Sequence, residues 1–284
     1  MKKIITLTLL AFFVNTLQAQ NMPAYKIYNA KGKKVSYKKM IKTLAKKDIV
    51  LFGELHDNAI SHWLEYEVTA ALHKSRNLIL GAEMMEADNQ GELNEYLKDE
   101  IDAEKLDTVA RLWPNYKTDY APLIDFAKDN NLPFIATNIP RRFASLVYKK
   151  GFKALDTLSA QEKEWIAPLP IPFDSELATY KDILKLMDDH GTPELVMAQA
   201  SKDATMAYFI LKNYVPGSLF IHYNGSFHSD SYEGILWYLK REKNDLLFGT
   251  ITTVSQDNIN TFEEENKGKA DFIICVDSNM TNTY

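Results

Sequence analysis

The sequence predicts an α/β protein, with a mostly parallel central sheet flanked by helices and carrying a helical insert. Three observations lead there. Short apolar runs recur at Ile49–Phe52, where β-branched residues stand out, and at Asn77–Ala82, Phe134–Ala136 and Leu219–Ile221. Longer stretches with apolar residues at helical spacing separate them, and such crossovers make neighbouring strands parallel. A chain of 284 residues, 46% hydrophobic and 25% charged, is also long enough to bury a large core.

The elements follow in order. Tyr25–Tyr28 and Val35 flank the turn-rich Asn29–Lys33 and read as a small edge hairpin. Ser36 is placed to cap a basic amphipathic helix to about Lys46, with Met40, Ile41 and Leu44 inward. The Ile49–Phe52 strand comes next, then a helix to about Ser75 on which Ile60, Trp63, Leu64, Val68, Ala71 and Leu72 recur, then the Asn77–Ala82 strand. That is a βαβ unit.

Polar helices are expected between Asp88 and Asp107 and from Tyr120 to Lys128, ahead of the Phe134–Ala136 strand. A helical insert spans about 141–189, broken by the proline-rich 168–172. A long helix from Pro193 to about Tyr214, the Leu219–Ile221 strand, a helix around Ile235–Leu239, and strands at Leu246–Val254 and Asp271–Val276 complete one α/β domain, residues 20–284. Cys275, the single cysteine, sits among Phe272, Ile273, Ile274 and Val276 as a small buried hydrophobe.

Ahead of that domain, Lys2 and Lys3, an apolar run from Ile4 to Val14 and Leu17–Ala19 follow the order of a secretory signal peptide cleaved after Ala19. An exported protein, periplasmic or extracellular, is expected. With no cysteine at the cleavage point no lipoprotein anchor is expected, and no later stretch is long and apolar enough for a transmembrane helix. The net charge of −5 argues against nucleic acid as a partner.

Function is read from the strand ends. The carboxyl ends of parallel strands share one edge, and ligands of open α/β sheets bind outside it. That edge should gather Glu54, His56 and Asp57 after the first strand, Glu83 after the second, Asn138 and Arg141 after the third, and His222, Asn224 and His228 on the fourth. His62 begins the helix behind the first loop, and Gln199 and Asp203 share a face of the long helix that can look into the same crevice. Glu54, His56, Glu83, His222 and His228 are the candidate catalytic set, and Glu54, His56, His222 and His228 the candidate ligands of a divalent metal. Asp57, His62, Asn138, Arg141, Gln199, Asp203 and Asn224 are candidate ligand-binding residues. Plainer readings stand beside these: Asn224–Gly225 is also a tight-turn dipeptide, Arg141 a helix cap, Glu83 an acid at a helix start, and Asp203 a lysine's partner. Ser226 lacks the Gly-x-Ser-x-Gly elbow of a serine nucleophile.

Taken together, Gly53-Glu54-x-His56-Asp57, His62, Glu83-Met84, Asn138-x-Pro140-Arg141, Gln199 with Asp203-x-x-Met206-Ala207, and His222-x-Asn-Gly-x-x-His228 resemble the ChaN-like haem-binding uptake family. That family is similar in turn to the group holding Tiki proteases, TraB proteins and erythromycin esterases. The resemblance implies a protein exported to the cell envelope that binds haem at a homodimer interface, serves an outer-membrane uptake system, and ligates iron through a tyrosine. The iron ligand lies outside the matched motifs; Tyr148, Tyr180 and Tyr208 fall in the helical region where a haem can dock. The hydrolytic relatives keep a second reading open, a metal-assisted or Glu/His periplasmic hydrolase of a peptide, ester or lactone.

Overall fold

The computed structural model describes residues 23–187 and 191–283; the leader read at 1–19, His190 and the far end of the insert lie outside them. Seven strands, β1 (Tyr25–Asn29), β2 (Ile49–Glu54), β3 (Leu78–Glu86), β4 (Phe134–Asn138), β5 (Leu219–Gly225), β6 (Phe248–Gln256) and β7 (Phe272–Asp277), form one sheet in the order β1-β7-β6-β2-β5-β3-β4. Every pairing is parallel except β1 with β7. The expected hairpin is replaced by that edge pairing, leaving only an isolated bridge between Tyr28 and Lys34. Burial explains the choice: on β7, β1 buries Ile27 and Tyr28, and the Tyr28 hydroxyl donates to the Ile259 carbonyl at 2.6 Å.

Helices cover both faces. On one face, α1 (Tyr37–Leu44), α2 (Ala59–His73), α3 (Gln90–Leu97), α4 (Ala103–Val109) and α5 (Ala121–Asp129) pack with Val50, Phe52, Leu80 and Tyr223. On the other, α6 (Arg141–Lys150), α8 (Pro193–Asn213) and α9 (Ile235–Glu242) pack with Ile49, Leu51, Ile79 and Phe220. Within the insert, α7 (Ala178–Leu186) sets Tyr180 against Val196 and Ala200 of α8, so the insert extends this layer. Strand β2 is buried on both sides, as its unbroken apolar run requires. Each of its four large side chains contributes about 1.5–3 kcal/mol of hydrophobic stabilisation.

Two local signals set the helix starts. The Ser36 hydroxyl accepts from the Lys39 N–H at 3.3 Å to open α1. Asn58 Oδ1 accepts from the Ile60 and Ser61 N–H groups to open α2. No helix among the described residues is long and apolar enough to cross a membrane.

The site is positioned by the middle of the sheet. Strands β2 and β5 lie side by side, with Gly53 opposite Asn224 and Glu54 opposite Gly225. From β2 the chain leaves over one face through α2, and from β5 it leaves over the opposite face through α9. Diverging connections open a crevice at the strands' carboxyl ends.

Candidate functional site

Alternation along the strands sends the edge residues to opposite faces. Glu54 follows Val50 and Phe52 at a period of two and points towards α2, whereas Glu83 follows Ile79 on the face covered by α8. One edge therefore carries two acid–imidazole clusters, back to back.

On the α2 face, the His56 Nδ1–H donates to Glu54 Oε1 at 2.6 Å and the Tyr120 hydroxyl donates to the same oxygen at 2.9 Å. His62 Nδ1 lies 3.1 Å from Glu54 Oε2 and 3.4 Å from Glu65 Oε2, and its Nε2–H donates to the His56 carbonyl at 3.1 Å. Burial opposes charge on Glu54, but the His56 and His62 imidazoles beside it hold its carboxyl below the usual range. Glu65, fully buried beside Glu54, is driven well above it by desolvation and by that neighbouring charge.

On the α8 face, His228 is clamped at both nitrogens. Its Nε2 faces Glu83 Oε1 at 3.0 Å and its Nδ1 faces Asp203 Oδ1 at 2.5 Å. The Tyr180 hydroxyl donates to the other Asp203 oxygen at 2.8 Å, and the Gly225 N–H donates to Glu83 Oε2 at 2.9 Å. Burial alone would lower the His228 pKa, yet Glu83 and Asp203 on either side raise it to about 9. Glu83 is held well below its usual range, burial being overcome by His228 and then Lys202, while burial leaves Asp203 raised.

The clusters meet at Gly225. A Cβ there would stand 2.7 Å from His56 Nε2, so only glycine lets the imidazole lie across the end of β5. With Nδ1 engaged by Glu54, His56 presents Nε2, and its side chain is 36% exposed. Burial works against the imidazolium, but Glu54 and the charge of Glu83 raise its pKa.

A crevice of about 580 Å³ opens here, floored by Glu54, His56, Glu83 and His228 and walled by Trp113, Ile183, Leu186, Met187 and Phe227. Leu186, Met187 and Phe227 are exposed, an apolar rim around a titratable floor. Trp113 and Lys202 also border a neighbouring cleft of about 880 Å³, lined by Arg111, Asn138, Arg141 and Arg142. There Arg111 is tied to Glu86 and Asp88, and Arg142 to Asp88.

The sequence-predicted residues thus divide. Glu54, His56, Asp57, Glu83, Gln199 and His228 line the crevice, while Asn138 and Arg141 line the neighbouring cleft. Asp203 and His62 stand behind the floor, each holding a member of it. His222 and Asn224 are buried supports: the His222 ring nitrogens lie 2.7 Å from Thr137 Oγ1 and 3.0 Å from Asn224 Oδ1, and desolvation lowers its pKa to about 4. Asn224 Nδ2 donates to Ser229 Oγ at 3.0 Å, bracing the turn after β5. Of the tyrosines, Tyr180 is consumed by Asp203, Tyr208 borders a separate cleft and Tyr148 is exposed on α6. Sequence reasoning missed Glu65, Tyr120, Trp113 and Lys202. Only Glu65 had a signal: it falls with Ser61, Val68 and Leu72 on the buried stripe of α2.

Fold and site define a three-layer α/β protein with a doubled acid–imidazole centre at the carboxyl edge of its sheet. The family model described as haem-binding uptake, Tiki superfamily, ChaN matches residues 40–239, and the chain belongs to that family. Among solved structures it is similar to ChaN of Campylobacter jejuni, described with cofacial haem binding, at TM-score 0.67 and 19% identity over 88% of this chain and 96% of that one. A Bacillus cereus protein matches at TM-score 0.52 and 11% identity, over 89% and 95% of the two chains. These likenesses speak to the fold. RETICULATA-RELATED 5, a chloroplastic protein of Arabidopsis thaliana, is 26% identical over 169 residues, 54% of this chain but 23% of that protein.

Proposed function

We propose that this protein is an exported haem-binding protein of an iron- or haem-uptake system, with the porphyrin seated at the crevice on the carboxyl edge of the sheet. Family membership supports the ligand class, and one observation carries the location. A haem site needs an apolar wall, a Lewis base, and cations for two carboxylates. Trp113, Leu186, Met187 and Phe227 offer the wall, His56 Nε2 the base, and Lys202 with Arg141 across the shared border the cations. The residues present fit the group. When bound, haem would supply a redox-active iron with a Soret band, and the chain's part is to bind, orient and shield it. Export rests on the basic–apolar–small order of Lys2 to Ala19. The homodimer and the outer-membrane partner rest on the family resemblance.

Titrating purified protein with hemin tests the reading. A saturable Soret shift, weakened at least tenfold in a His56→Ala variant, is expected. No shift at stoichiometric protein would sink it.

A second reading, a Glu/His hydrolase, is favoured by one observation: His228 is pinned by two carboxylates beside a partly exposed His56, an arrangement suited to acid–base work. Its mark would be turnover of an ester, lactone or peptide panel that disappears in both His56→Ala and Glu83→Gln.

A further inference from the structure

We propose that Glu54, His62 and Glu65 form a binding site for one divalent transition-metal ion, lying behind the crevice on the α2 face of the sheet. An oxygen from each glutamate and a ring nitrogen of His62 lie within 4.8 Å of one another, and all three residues are buried.

Glu54 Oε1 is accounted for by His56 and Tyr120, whereas Glu54 Oε2 is buried with only the His62 imidazole, 3.1 Å away, beside it and no well-formed hydrogen bond. Glu65 Oε1 is unpartnered, in a residue with no exposed surface. Carboxylate oxygens left short of partners on two buried, neighbouring glutamates are costly unless a cation or a proton compensates them.

The imidazole has the orientation a metal ligand requires. The His62 Nε2–H is fixed by the His56 carbonyl at 3.1 Å, with Asp119 Oδ2 at 3.5 Å. Metal-bound histidines are held this way through the far nitrogen, which fixes the tautomer and turns the near lone pair to the ion. Here the near nitrogen, Nδ1, faces Glu54 Oε2 at 3.1 Å and Glu65 Oε2 at 3.4 Å. Ligands about 2.0–2.2 Å from a tetrahedral ion stand about 3.3–3.6 Å apart, close to these separations.

Charge balances as well. Two carboxylates and a neutral imidazole around a divalent ion make a neutral buried unit. One nitrogen and two oxygen donors suit zinc, iron(II), cobalt(II) or manganese. This set shares only Glu54 with the ligands read from sequence: His56 turns Nε2 to the crevice, and His222 and His228 lie on the α8 face. An ion here would lock Glu54 and, through it, His56.

Cobalt(II) is the probe. Chelator-stripped full-length mature protein should take up one Co²⁺ per chain, giving saturable visible d–d absorption and a raised melting temperature. Glu65→Gln, nearly isosteric, should weaken uptake at least tenfold while leaving the melting of the stripped protein within a few degrees. His56→Ala, which keeps all three ligands, should still take up one Co²⁺ per chain, separating this site from one built on His56. If Glu65→Gln does not fold, His62→Gln gives the same reading. No saturable uptake by wild type, uptake unchanged in the Glu65 or His62 variant, or uptake lost in His56→Ala overturns the proposal. Hemin binding is followed in the same samples by the Soret band, so failure of the haem reading stays distinct from failure of the metal site.

Discussion

His228 carries the most telling electrostatics of any single residue. It is nearly sealed from solvent between Glu83 and Asp203, and its pKa is raised to about 9. A histidine whose folded pKa exceeds its unfolded value of about 6.5 adds stability that is full below about pH 6.5 and lost as pH rises through about 9. Glu83, depressed in the folded state, adds stability above the ordinary glutamate range and loses it only in acid. The pair should therefore stabilise best between those limits. Urea unfolding at about pH 6 and pH 9 checks this: the wild type should lose more stability over the interval than His228→Gln does. At pH 6 that variant should be about 3–5 kcal/mol less stable than wild type, because it strands two buried carboxylates. Equal loss in both proteins would show that the imidazole carries no charge in the fold.

At the scale of elements, α2 matters more to the site than its surface position suggests, because it delivers both His62 and Glu65 beneath Glu54. Its start rests on Asn58, whose side chain caps two N–H groups. Asn58→Ala should cost about 1 kcal/mol in urea unfolding, whereas Asn58→Asp, which keeps the acceptor, should cost little. A null effect of Asn58→Ala would mean that packing alone holds the helix start. This level also divides what was legible from what was not. Apolar runs located β2, β3, β4 and β5 but ended them early, since polar residues such as Glu83, Asn138 and His222 continue the strands as buried members. The edge residues were readable from where each run stopped. Their division between two faces depends on how far each strand stays extended past its apolar run, which no spacing in the run reports. Partners such as Asp203 for His228 join positions 25 apart across the layers, beyond any local pattern.

Over the whole molecule, the order β6-β2-β5-β3 places the sites of sequence-distant loops around one crevice. Glu54 and His56 come from the first third of the chain, Gly225 and His228 from the last, and the apolar rim comes from α7 and the turn after β5. The rim is exposed and the floor buried, so ligand affinity should respond to rim and border changes without loss of the fold. Lys202 is the most useful handle, being shared by the crevice and the basic cleft beside it. The most direct measurement is therefore a hemin titration comparing wild type with a Lys202→Glu, Met187→Glu variant, followed by Soret absorption at matched ionic strength. A saturable complex in the wild type, weakened at least tenfold in a variant of unchanged circular dichroism, is the expected result. Equal hemin binding by both proteins would contradict the crevice as the haem site, and no binding by either would contradict haem as the ligand.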